Sequence, residues 1–388
     1  MTDSHRPART SRGRSHAGPS VSARFAVRPS TRGPNLHRAL CLGVLAATTA
    51  LLAAPPGLAD IPRTPDGRPD LSGTYDVATL TPLQRPEAFG DNLFLTPEQA
   101  ERMQAQERAL MASGQARSDP DRDAPPVGGD GSTGAAGNVG GYNTFWIDRG
   151  DSAILIDGKF RTSIITDPPD GRRPPLTTES REMLMARREF ARQNTGEAWW
   201  LEYDGPGPYD DPELRPLGER CLLGFGSTAG PPMLPVLYNN IKRIVQTPDH
   251  VVIVIEMNND ARIIRIDDEH EPADVRRWLG DSVGRWEGDT LVVETTNFRP
   301  QTGLGFASEN LHVVERFERI DADTLRYSFT VEDPTVWTAP WSGEYPWPAT
   351  DDRMYEYACH EHNYAMGNIL RGARVLEADV LEAQADGE

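Results

Sequence analysis

From residue 239 onward one short unit recurs: an apolar segment of five to nine residues, a tight turn, and another apolar segment. The segments are 241–245, 251–257, 261–266, 290–298, 311–317, 325–331 and 354–359. Segments of that length, rich in β-branched and aromatic residues and bounded by turn formers, read as strands. Several connections are of hairpin length, among them Thr247-Pro248-Asp249, Asn258-Asn259-Asp260, Glu287-Gly288-Asp289 and Asp321-Ala322-Asp323. Consecutive strands joined by such turns make an antiparallel meander. One short helix, 272–279 ending at Gly280, is expected to interrupt it. So many strands laid flat would leave edges open to other chains, and closing the sheet removes them. The expected fold is therefore mainly β, an up-and-down, lipocalin-like barrel or a strongly curved sheet with a few peripheral helices. A flat sandwich is the competing arrangement.

Upstream the texture changes. Residues 60–141 read as an extended entry segment, one helix and a mobile loop. The helix starts at Leu95-Thr96-Pro97-Glu98, where a Thr cap, a first-turn Pro and an early acid coincide, and runs to Ser113 before Gly114. Residues 115–141 hold almost nothing to bury. The run Gly128-Gly129-Asp130-Gly131-Ser132-Thr133-Gly134 has neither the Gly-Lys-Ser/Thr signature nor a flanking strand and helix, so it is no phosphate cradle. Strands at 153–156 and 162–166, a helix at 178–193 and a loop at 197–217 lead into the β-rich domain, taken as 142–375 and followed by a tail, 376–388.

The first 59 residues carry eight Arg and a single acid, Asp3, followed by an apolar run, 39–53. A membrane-spanning helix needs about 20 apolar residues, so this run fits a secretory signal, with Gly57 and Ala59 as the small residues of a cleavage site after Ala59. Removing it leaves 32 basic against 57 acidic residues, a net charge of −25. A chain this acidic repels nucleic acid and anionic lipid. No later stretch is long and apolar enough to span a membrane, so the exported product, periplasmic or secreted, is expected to have no span. Of three cysteines, Cys41 departs with the leader. Cys221 and Cys359 remain, and in an oxidising compartment they make a plausible disulfide; two unrelated thiols are the alternative.

Strand parity points to candidate site residues. Leu325, Tyr327, Phe329 and Val331 share a face, and Leu311, Val313 and Phe317 share theirs with Glu315. On the segment read as the last strand, Tyr355, Tyr357 and Cys359 share a face with Glu361. A carboxylate facing an apolar core must be paired or protonated, and its pKa rises with desolvation. Glu315 and Glu361, with His360 beside the latter, are thus candidate acid–base groups; pairing with Arg161, Arg262 or Arg316 is the structural alternative. His360 and His362, two apart and on the side of Glu356, could hold a metal if a third ligand such as His312 arrived; satisfied or exposed histidines are the other reading. Candidate ligand contacts are Asn239, Asn297, Tyr357 and Arg161. Asn240 stands beside the first of these, and such asparagines equally often form turns. Trp337 and Trp341 in the aromatic loop 337–347 could cap a barrel mouth and stack on a flat or sugar-like ligand, or plug the core.

The strings Trp286-Glu287-Gly288-Asp289-Thr290-Leu291-Val292-Val293-Glu294-Thr295-Thr296-Asn297-Phe298, Asp167-Pro168-Pro169-Asp170-Gly171-Arg172 and Tyr357-Ala358-Cys359-His360-Glu361 resemble those of a large family of exported bacterial proteins. The resemblance covers roughly residues 60–375 and implies export and a shared fold; it implies no activity, cofactor or catalytic residue. Three classes of function remain open. They are a binder of a small apolar or aromatic molecule, a hydrolase or lyase using Glu361 or Glu315 with His360, with or without a metal, and a structural or partner-binding envelope protein.

Overall fold

The computed structural model describes residues 61–115, 121, 146–190 and 198–386. The expected leader and cleavage site and the 128–134 run lie outside the described residues. Thirteen strands are present among those described: β1 (Gly73–Asp76), β2 (Phe94–Leu95), β3 (Leu155–Ile156), β4 (Lys159–Arg161), β5 (Ile165–Asp167), β6 (Ile241–Gln246), β7 (His250–Ile255), β8 (Ala261–Ile266), β9 (Asp281–Glu287), β10 (Thr290–Thr296), β11 (His312–Arg319), β12 (Thr324–Glu332) and β13 (Trp341–Pro348). The helices are α1 (Pro97–Gly114), α2 (Thr178–Phe190) and α3 (Tyr364–Asp386).

Ten strands form one curled sheet in the order β1-β6-β7-β8-β9-β10-β11-β12-β13-β5. The curl brings the first strand back to the chain after β13, where Tyr75 bridges Ala349 and the Thr350 amide donates to the Thr74 carbonyl at 2.9 Å. The expected strongly curved sheet is thus the one formed. It is a mainly β fold, and its neighbours are antiparallel except β8 and β9, which run parallel.

That parallel pair marks where the meander breaks and where the expected helix at 272–279 fails to form. The backbone there is satisfied elsewhere: the Arg277 amide donates to the Asn297 carbonyl, the Arg299 amide donates to Arg277, and the Asn297 side chain takes the Glu271 and Pro272 carbonyls. With those groups engaged across the gap, no intrahelical ladder remains to be made. Asp281, at the start of β9, anchors the crossover by accepting from Arg265, His270 and the Glu271 amide.

Parity holds across the registered strands. Leu291 faces Phe317, Phe317 faces Tyr327, and Tyr327 faces Tyr345, while Leu325 faces Trp347. All of these are buried. Gly343 stands where the Phe329 ring crosses the sheet; a Cβ there would meet that ring at 2.7 Å and the Ile164 carbonyl at 2.9 Å.

The concave side of the sheet is filled. Every residue from 227 to 234 is buried, and this segment reaches into the core: the Met233 amide donates to the Tyr327 hydroxyl at 2.9 Å, and the Tyr345 hydroxyl donates to the Met233 carbonyl at 2.8 Å. The expected aromatic loop is corrected, since most of it is strand: Trp341 opens β13, and Trp341 and Trp337 pack edge to face in the core, 5.8 Å apart. The aromatic stretch is therefore the plug of the two readings, and the expectation that its two tryptophans face a ligand is corrected.

A small sheet, β2-β4-β3, packs on α1, whose N-terminus carries a full capping box between Thr96 and Gln99. At the other end, α3 runs through the stretch taken as a tail and packs Ala373, Leu376 and Val380 on Trp199 and Trp200.

Candidate ligand pocket beside the disulfide

Segment 354–359 looks like a strand in sequence but pairs with side chains instead of a neighbouring ladder. The Glu256 carboxylate accepts from the Tyr355 amide at 2.9 Å, and the Asn259 side chain donates to the Tyr357 carbonyl at 3.2 Å while accepting from its amide at 3.5 Å. Its backbone thus has partners without joining a sheet. The expected last strand is accordingly absent, and parity no longer applies to it: His360, Glu361 and His362 lie on exposed turns before α3. Asn363 then caps α3 by accepting from the Met366 amide at 3.3 Å, and its amide donates to the Glu219 carbonyl at 2.7 Å.

Cys221 and Cys359 form the expected disulfide, with Cα atoms 5.7 Å apart. It ties the 218–221 turn to the same segment. Between them lies a cavity of about 810 Å³ bounded by the end of β1, the 146–148 segment, the entry to β6, Glu256 and the start of α3. A second cavity of about 610 Å³ adjoins it and shares Phe225 and Tyr238. Tyr238 and Tyr357 stand almost parallel, 7° between planes and 6.5 Å between ring centres.

Two asparagines set this wall. Asn239 takes a left-handed φ of 55°, turning the chain at Tyr238. Asn240 is buried, and its side chain donates to the Asp148 and Val236 carbonyls and accepts from the Val236 amide, each at 2.9 Å. Of the two, Asn239 lines the cavity and Asn240 holds it.

The charge of the cavity is lopsided. Asp76, Asp148, Glu219, Glu256, Asp352 and Glu356 line it against a single Arg353. Among the described residues only Glu219 of these has a close arginine, Arg215, at 2.8 Å. Burial, reinforced by Asp148, Asp352 and Asp151 and opposed by the Ala78 amide, pushes Asp76 up to about 6. Behind this wall, on the inward face of β6, Lys242 is fully buried and its Nζ has no hydrogen-bond partner among the described residues. Burial, opposed by Glu256, Asp260 and Asp76, pulls it down to about 7. Burial likewise pushes Asp260 up to about 7, with Lys242 opposing.

The sequence-derived candidates separate accordingly. Asn239, Tyr357, Glu356 and His362 come together at the cavity. Glu361 and His360 are not on its lining, and they point to solvent. Glu315 does face the core, but fully buried and paired: Arg262 donates to it at 2.9 and 2.6 Å and the Tyr327 hydroxyl at 2.6 Å. Its oxygens are committed to these donors and no solvent reaches it, so it has no route to a substrate. Arg161 pairs with Glu344 at 2.6 Å, and Asn297 serves the crossover described above. His312 bonds Glu294 at 2.8 Å, away from the other histidines. Among the described residues no group of three His, Cys, Asp or Glu is placed to hold a metal ion. Sequence reasoning missed Asp76, Tyr238, Glu256 and Lys242; only the polar run closing at Asp260 hinted at them, and it reads as a turn.

Comparison of the chain with models of known protein families finds no match, and comparison with curated proteins finds none. No helix among the described residues is long and apolar enough to cross a membrane.

Proposed function

We propose that this is an exported protein that binds a small organic molecule with apolar or aromatic surface, in the cavity beside the disulfide and not within the sheet. The observation carrying this reading is a cavity of about 810 Å³ with the parallel rings of Tyr238 and Tyr357 in its wall, held in place by a cystine and by committed asparagine side chains. Its volume falls in the usual range for small-molecule sites, about 300–1,000 Å³. The filled concave side argues against a lipocalin-like interior site. Export is supported by the basic leader with its short apolar run, by the disulfide, and by the resemblance to exported bacterial proteins.

The test is a fragment screen by NMR on protein recovered from a periplasmic host. At least one uncharged aromatic fragment is expected to shift Tyr238 and Tyr357 resonances, and the Tyr238→Ala, Tyr357→Ala double variant is expected to weaken it. Absence of any such shift, or binding that ignores the double variant, would overturn the reading. The same preparation tests export, since the mature mass should begin at Asp60.

A further inference from the structure

We infer that the molecule taken by this cavity is an organic cation: an amine or quaternary ammonium attached to an apolar or aromatic body. The inference rests on the reading that the cavity binds a small molecule, and it adds the sign of the charge.

Three observations converge. Asp76, Asp148, Asp352 and Glu356 line the cavity and have no ion pair among the described residues. Acids outnumber bases there six to one, whereas the chain from Asp60 onward holds 57 acids against 32 bases, so the imbalance is concentrated at the cavity rather than inherited from composition. Like charges in excess of their cations, here Arg353 in the lining, Arg215 on Glu219 and the buried Lys242 beside Asp76 and Glu256, disfavour the ionised state, and an entering cation relieves that repulsion. Aromatic rings supply the other half of such recognition: Tyr238 and Tyr357 line the cavity as a parallel pair with 6.5 Å between ring centres, and the negative quadrupole of a tyrosine ring attracts an ammonium. An inorganic ion fits poorly, because no three of these groups converge to the spacing a metal requires. A bulky cation needs no such convergence, only a negative field and apolar walls.

The probes are tryptamine, the alcohol tryptophol and indole-3-propionate, which present one ring system with positive, neutral and negative tails. Titration calorimetry near neutral pH should give tryptamine an affinity about tenfold or more above the other two. Asp76→Asn with Asp352→Asn should lower the tryptamine-to-tryptophol ratio toward one. A control for folding is the melting temperature of the same double variant, since Asn keeps the shape of Asp. If tryptophol or indole-3-propionate binds as well as tryptamine and shifts Tyr238 and Tyr357, the charge inference fails while the cavity reading stands. If none of the three binds and no other aromatic fragment shifts those tyrosines, the cavity reading fails and takes this inference with it.

Discussion

Arg262 on β8 and Glu315 on β11 meet across the inside of the curled sheet through two hydrogen bonds, 2.9 and 2.6 Å long, with both side chains almost wholly removed from solvent. Tyr327 donates to the same carboxylate, and Ser282 and Thr295 receive the far side of the guanidinium. This polar core, in which every Arg262 nitrogen but the buried Nε has a partner among the described residues, holds together strands distant in sequence. Removing one partner leaves the other charge buried and bare. Arg262→Met alone should cost about 3–5 kcal/mol, while Arg262→Met combined with Glu315→Leu should cost much less than the two single changes together. Urea denaturation of the three variants measures this; additive losses would mean that the pair is not coupled.

Lys242 should behave in the opposite sense. Its pKa in the fold is lowered to about 7 from 10.5, with burial the main cause and Glu256, Asp260 and Asp76 opposing. A lowered value means that the fold disfavours the ammonium. Its contribution to stability is therefore complete above the unfolded value and is lost as pH falls through about 7. Lys242→Met should stabilise the protein by roughly 1–3 kcal/mol near pH 6 and by less near pH 10. Denaturation midpoints at both pH values give the answer. A loss of stability near pH 6 would mean that the amine holds its acidic neighbours together.

The disulfide closes a sequence separation of 138 residues. In the chain-entropy model a loop of that length is worth about 5 kcal/mol, as an upper figure. Cys221→Ser with Cys359→Ser should lose up to that amount. Hydrogen exchange should quicken first in 354–363, the cavity wall, before β10–β13, because the wall has no strand ladder of its own. Uniform acceleration would mean that the cystine stabilises the sheet and not the wall.

Asn259→Ala removes both side-chain bonds to the Tyr357 backbone. Because Asn259 is exposed, the cost in global stability should be only about 1 kcal/mol, yet fragment binding at Tyr357 should weaken severalfold. Calorimetry and a melting curve on the same sample separate the two effects.

Much of the sheet could be read directly. Six of the seven apolar segments after residue 239 form strands, since alternation and hairpin turns are local signals that tertiary structure had no reason to override. The Thr96 cap was equally local. β9 was missed because Asp281, Ser282 and Gly284 give it no apolar alternation; its inward positions hold the polar core and make room for Leu291. The segment 354–359 failed in the other direction, its alternation answered by Glu256 and Asn259 side chains rather than by a strand. The 272–279 helix failed because Asn297–Arg299, some 20 residues on, took its backbone groups.

By itself, then, the sequence determined the element types wherever the signal was local: period-two burial, turn chemistry, a capped helix, and two cysteines left to pair. The tertiary structure alone decided where the cavity lies and which charges face it. Asp76, Tyr238, Glu256 and Tyr357 come from four separate segments. Nothing in the spacing of these residues encodes that meeting, because it is made by the curl of the sheet, by a plug that fills the concave side, and by a cystine that draws a distant segment over the edge.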